Sequence, residues 1–169
     1  MLVTRTYLEM TDPADLRDDG VSAPPGARVV AVDGCTPELY RFLYGTVGRN
    51  YHWVDRLAWD DDTLRAHLAR PDILIRMLWQ DDEPAGYYEL ARHDDDSVEI
   101  AYFGLLPGWL GRGLGRFLLV HAVREAWSLG ATRVWLHTCT LDDPAALPNY
   151  LRRGFQPCRT EQYEQHLDA

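Results

Sequence analysis

Residues 104–116 read Gly104-Leu105-Leu106-Pro107-Gly108-Trp109-Leu110-Gly111-Arg112-Gly113-Leu114-Gly115-Arg116. An apolar strand runs into a proline, then into a glycine-rich turn that opens an amphipathic helix. Glycines at 111, 113 and 115 let the backbone come close to a ligand. The helix start aims several unpaired N–H groups in one direction, with the positive end of the dipole behind them. This predicts an anion cradle, best suited to a phosphate or pyrophosphate. It is not a P-loop, because no Gly-Lys-Ser/Thr follows. Nor does it open the βαβ unit in which a dinucleotide fingerprint belongs, so a nicotinamide-binding domain is a remote reading.

Upstream of this stretch, Ile73–Trp79, Ala85–Arg92 and Val98–Leu105 read as strands separated by acidic turns, an antiparallel meander. Downstream, Arg112–Leu129 carries Leu114, Leu118, Ala122, Ala126 and Leu129 at helical spacing, and Gly130 ends it. Thr132–Thr138 is a strand. Asp142–Arg153 is helical in pattern, with Pro148 bending or delaying it, and Phe155–Glu164 is a final strand. Toward the N-terminus, Val3–Met10 and Ala27–Val32 read as strands flanking the Asp/Pro/Gly-rich loop Thr11–Gly26. Thr36-Pro37-Glu38 starts a helix to about Val47, and Asp60–Thr63 caps another that Pro71 stops. The order predicts an α/β (α+β layered) fold in one domain over residues 1–169.

Hydrophobic residues make up 46% of the 169-residue chain and charged ones 25%, which places it among ordinary globular proteins. No apolar run approaches the ~20 residues of a membrane span, and Met1–Met10 lacks the apolar core of a signal peptide. A net charge of −9 argues against a nucleic-acid partner. It is compatible with a cationic substrate. All 17 basic residues are arginine, a composition that GC-rich coding explains. Three cysteines with no C-x-x-C pair and six histidines with no H-x-x-x-H spacing give no disulfide framework and no metal site, and point to a reducing cytoplasm.

Leu105-x-Pro107-x-x-Leu110-x-x-Gly113-x-Gly115 resembles the central acetyl-CoA motif of the GNAT (Gcn5-related) N-acetyltransferases. Asp143-x-x-Ala146-x-x-x-Tyr150-x-x-x-Gly154-Phe155 is similar to their second CoA-contacting motif. Leu110 stands where the family usually has Gln or Arg, and Asp143 where it usually has Asn. The resemblance implies a mixed, mostly antiparallel central sheet flanked by helices on both faces. Residues 1–71 would then hold an N-terminal strand and acceptor-side helices, and residues 72–169 the acyl-CoA-binding core. It further implies transfer of an acetyl group from acetyl-CoA, as co-substrate, to a primary amine. Leu105, Leu106, Pro107, Leu110, Gly111, Arg112, Gly113, Leu114, Gly115, Arg116, Asp143 and Ala146 are the implied CoA contacts. A small-molecule or peptide amine is the implied partner, with no membrane partner, and a homodimer is left open. A non-catalytic acyl-CoA-binding or sensor module of the same fold is the alternative.

The chemistry asks for a base to free the amine's lone pair, a donor for the thioester oxyanion and a proton for the leaving thiolate. Glu99 is the first base candidate, 14 residues ahead of Gly113, where the resemblance places a glutamate base. Period 2 would put it on one face with Ala101, Phe103 and Leu105, beside apolar neighbours that raise a carboxyl pKa. Glu89 on the adjacent strand is the second candidate, with a cross-strand surface acid as the plain reading. Tyr150 matches the family tyrosine near the CoA sulfur; a phenol with pKa near 10 can protonate a thiolate. His137 and Cys139, two apart on a strand, do not point at each other and read as channel-lining residues rather than a nucleophile and its base. Tyr51, His52, Trp53 and Trp59 either face a cationic acceptor or pack the helices on the sheet.

Overall fold

A computed structural model describes residues 1–166 of the chain. In chain order the strands are β1 (Leu2–Met10), β2 (Ala27–Ala31), β3 (Ile73–Gln80), β4 (Glu83–Arg92), β5 (Ser97–Leu105), β6 (Arg133–Cys139) and β7 (Gln156–Glu164). The helices are α1 (Pro37–Gly48), α2 (Asp61–Leu68), α3 (Leu114–Ser128) and α4 (Ala146–Arg152). The seven strands form one sheet in the order β2-β3-β4-β5-β6-β1-β7. The meander β2 to β5 is antiparallel throughout. β5 and β6 run parallel, a pairing that needs a crossover, and α3 supplies it.

Local chemistry sets the helix limits. Thr36 Oγ1 accepts from Leu39 N at 3.2 Å with Pro37 in the first turn, and Asp60 Oδ1 accepts from Thr63 N at 2.7 Å. Pro148 delays α4 to Ala146, so that it sits in the first turn, where no intrahelical N–H is lost. The Asp143 carboxylate takes the N–H of Ala145 just before it, at 2.8 Å. Leu114, Leu118, Ala122 and Ala126 of α3 are buried against Leu90, Val98, Ile100, Val134 and Leu136. On the opposite face α1 and α2 bury Tyr40, Leu43, Tyr44, Val47 and Leu64 against Ile75, Met77 and Tyr87. The sheet is therefore covered on both faces, as expected.

Three features escaped the pattern. β1 inserts between β6 and β7, antiparallel to both. β5 pairs with β6 only over Ser97–Glu99 and Arg133–Trp135, and beyond that point the two strands part. The β4–β5 register slips between Glu89 and Leu90, where Glu89 faces Tyr102 but Leu90 faces Ile100. Ala101 is thus the extra residue of a bulge, and the alternation along β5 inverts there.

Candidate active site

The bulge decides which side chains share a face. Val98 and Ile100 pack toward α3 before it, and Phe103 and Leu105 do so after it. Glu99 therefore shares its face with Tyr102 and Gly104, on the α1–α2 side, and not with Ala101, Phe103 and Leu105. The expectation from strict period 2 is corrected by one inserted residue.

Where β5 and β6 part, a cleft of about 1070 Å³ opens. Its floor is β5 from Glu99 to Leu105 and β6 at Leu136, His137 and Cys139. One end is the glycine-rich turn, through Leu110, Gly111, Gly113, Gly115 and Arg116. Gly111 and Gly113 hold φ of 76° and 77°, left-handed values that favour glycine. Gly113 caps α3 with no side-chain hydrogen bond. Among the described residues, no carbonyl accepts from the N–H groups of Gly111 through Arg116. A Cβ at Gly111 would meet nothing within 4 Å. The turn thus leaves bare donors in front of open space at the head of a 15-residue helix, which fits an anion.

α4 closes another wall with Asp143, Ala146 and Tyr150. Asp143 is held in place by Ala145 N and by the Tyr51 hydroxyl at 3.3 Å. Tyr150 is 7% exposed and packs edge-on against Phe103 and Phe155. Its hydroxyl is bound to no described residue and is not sealed from solvent. Burial, and then the Asp142 charge, push the phenol's pKa up, so it keeps its proton at neutral pH. Leu106 and Leu114 are buried, the Arg112 guanidinium stacks on Trp109 at 4.9 Å, and Pro107 is also absent from the cleft wall. The side chains of these four do not line the cleft.

The two glutamates occupy different worlds. Glu99 lines the cleft with its side chain 15% exposed and meets His93 Nε2 at 3.0 Å through Oε1. Glu89, expected as a second base candidate or a surface acid, is fully buried and does not reach the cleft. Oε1 receives the Tyr40 hydroxyl at 2.7 Å and Arg56 Nη1 at 2.5 Å; Oε2 meets His67 Nε2 at 3.0 Å. Burial works to raise its pKa, but the His67 hydrogen bond and the Arg56 charge outweigh it and hold the carboxyl below its usual range. A carboxylate so held is a poor base.

Arg56 and His67, which the sequence did not single out, line the cleft in front of Glu89. The guanidinium lies between Trp59 and Tyr102, 5.0 and 4.6 Å from their ring centres. Nothing local marks these residues; they converge from a loop, a helix and a strand. The aromatic segment both packs the helices on the sheet and lines the cleft. Trp53 packs on Tyr44 and Tyr102 and also faces the cleft, whereas Trp59 packs against His67. His137 and Cys139 line the floor. Burial lowers the His137 pKa and raises that of the Cys139 thiol, so neither an imidazolium nor a thiolate is favoured there. Among the described residues no group of three or more His, Cys, Asp or Glu could hold a metal, and no helix is long and apolar enough to cross a membrane.

The acetyltransferase (GNAT) family model matches residues 37–155, most of the chain. The chain belongs to the GNAT acetyltransferase family. A mycothiol acetyltransferase of Corynebacterium efficiens is 30% identical over 150 residues, covering 85% of this chain and 47% of that protein. The chain thus spans about half the length of that curated relative. Among solved structures, a GCN5-related N-acetyltransferase of Kribbella flavida superposes with a TM-score of 0.66 at 23% identity, over 93% of this chain and 55% of that one. The ribosomal-protein-S18-alanine N-acetyltransferase of Escherichia coli gives 0.61 at 20% identity, over 79% of each chain. These two likenesses share the mixed sheet and flanking helices of this GNAT fold.

Proposed function

We propose that this GNAT protein moves the acetyl group of acetyl-CoA to a primary amine by direct attack. The observation that carries the reading is the joining of two features in one cavity: a strand pair that parts, and a ring of bare N–H donors at its end. Parting leaves β5 backbone groups beyond Glu99 without partners on β6, which suits an extended amide-bearing arm. The N–H groups of residues 111–116, with Arg116, suit the pyrophosphate.

Each residue then has a task. Glu99 takes a proton from the nitrogen of the neutral amine as its lone pair forms the C–N bond, assisted by His93, whose Nε2 contact fixes one carboxylate oxygen and leaves Oε2 free of described partners. A freed β5 N–H faces the thioester oxygen as charge develops on it. Tyr150, protonated and open to the cleft, returns a proton to the departing thiolate. Asp143 orients the start of α4; as a carboxylate it accepts from Ala145 N and Tyr51 and offers no donor of its own.

The test is release of free CoA thiol by the purified chain with acetyl-CoA and a panel of amines (amino sugars, amino-acid amides, polyamines, peptide N-termini, lysine peptides). Amine-dependent thiol with a matching acetylated product supports the reading. Tight acetyl-CoA binding with no thiol release from any amine would favour the binding-module alternative. No binding at all would contradict both.

A further inference from the structure

Arg56 takes part in no step above, yet it lines the cleft and is held far more firmly than a surface arginine. Its side chain is 12% exposed. Nη1 donates to Glu89 Oε1 at 2.5 Å and to the Tyr40 hydroxyl. Trp59 and Tyr102 flank the guanidinium carbon at 5.0 and 4.6 Å from their ring centres. Glu89 balances the charge but occupies only one of the three nitrogens. Nε and Nη2 have no partner among the described residues, and neither is sealed from solvent. Their N–H groups share one edge of the guanidinium, the fork that matches the two oxygens of a carboxylate. The chain uses this same edge elsewhere. Arg76 grips Glu125 through Nε and Nη2 at 3.1 and 2.7 Å, and Arg70 grips Asp72 through the same pair of nitrogens. At Arg56 no described carboxylate takes that edge.

The register places this fork relative to Glu99. Tyr102, against which the guanidinium lies, is opposite Glu89, and Glu99 is opposite Ala91, two residues further along β4. Glu99 and Tyr102 share a face, so the two positions are about 7 Å apart along the sheet. A ligand with its amine at Glu99 and an anion at the fork needs only a few bonds between the two groups. We propose that Arg56 is a specificity-determining residue that binds a carboxylate on the acceptor, and that the acceptor is a free amino acid. The inference rests on the acetyl-transfer reading and names the substrate class of that same site. Glu89, Tyr40 and the two rings fix the guanidinium before any ligand arrives, so little freedom is lost when a carboxylate docks. An amide or a sugar in its place offers the fork no second anionic oxygen and leaves N–H groups poorly met. A polyamine would set a further cation against it.

The test uses the full chain, acetyl-CoA and a panel of amino acids including β-alanine and 4-aminobutyrate, each paired with its primary amide. With rates corrected for the fraction of neutral amine, the wild type should favour the acid of each pair it turns over by about tenfold or more in kcat/KM. Arg56→Lys keeps a cation for Glu89 and removes the planar fork. The acid-to-amide ratio should fall about tenfold in this variant, while KM for acetyl-CoA holds. A purely structural role would slow both members of a pair alike and leave the ratio unchanged. An unchanged ratio, or amides turned over as well as acids by the wild type, overturns the proposal and leaves acetyl transfer standing. A second arm needs neither turnover nor the variant: calorimetry of N-acetyl amino acids and their amides with the CoA-loaded wild type. The acid of at least one pair should bind about tenfold more tightly than its amide. Equal affinities, or no binding by any pair, overturn the proposal. Failure of every acceptor to release thiol counts against acetyl transfer itself, and the calorimetry then decides the question for Arg56.

Discussion

Glu89 and Glu99 lie on adjacent strands, face the same side of the sheet, and each meets a histidine Nε2 at 3.0 Å. Their surroundings make them opposites. Glu89 is fully buried, with Tyr40, Arg56 and His67 all donating to it. Its charge is committed to holding other groups, and removing it would strand a cation whose side chain is only 12% exposed. Glu99 has one partner, a spare oxygen and a cavity in front of it. The residue type is the same and the strand position is nearly the same. In the proposed mechanism, what separates the structural carboxylate from the reactive one is the number of donors around it and access to the cleft.

The comparison breaks most sharply at Glu99→Gln. Turnover at neutral pH should fall by ~10²–10⁴, with the melting temperature little changed and acetyl-CoA affinity kept. A Glu99→Gln enzyme of normal turnover would mean that a water chain or another group is the base. Glu89→Gln should do the reverse. Loss of a buried partner typically costs about 3 kcal/mol or more, a fall of roughly 6–12 °C in Tm for a chain of this size. Because its folded-state pKa is lowered, the stability that Glu89 contributes is present above its unfolded value of about 4.3 and is lost as pH falls through the folded one. The gap in Tm between wild type and Glu89→Gln should thus be full from pH 5 to 8 and shrink below about pH 4. A pH-independent gap would show that shape, and not charge, is what Glu89 supplies.

The sequence was most legible where one segment carried a whole message. The turn from Leu105 to Arg116, the α3 stripe and the caps at Thr36 and Asp60 are local, and periodicity and helix-end chemistry suffice to read them. The bulge at Ala101 was not legible, because a single inserted residue leaves no mark in composition. It moved Glu99 from the face of Phe103 to that of Tyr102. The β1 insertion between β6 and β7 is a long-range pairing of the same opaque kind. The Tyr40–Arg56–His67 cluster around Glu89 joins residues 49 positions apart, and only the packing of α1 and α2 on β4 brings them together.

Smaller effects sharpen the comparison from the cofactor side. Tyr150→Phe keeps the ring packed between Phe103 and Phe155 and removes only the hydroxyl. We expect kcat to fall about a hundredfold with nearly constant KM for acetyl-CoA, measured by steady-state kinetics; full turnover would leave Tyr150 a packing residue. Gly113 is a poor probe of the cradle, since its φ of 77° would strain any side chain. Gly115 is a better one: it has no such strain, and its Cβ would meet only Leu105 Cδ1, at 3.7 Å. Gly115→Val should weaken CoA binding about tenfold, or ~1.4 kcal/mol, by calorimetry, in a protein of near-normal Tm.

The most direct test of the central claim is a crystal structure of the chain with CoA. We expect the pyrophosphate against the N–H groups of Gly111 to Arg116, the pantetheine arm in the gap between β5 and β6, and the sulfur facing the Tyr150 hydroxyl. CoA bound elsewhere, with that gap closed or filled by side chains, would contradict the assignment of this cleft as the site of acetyl transfer.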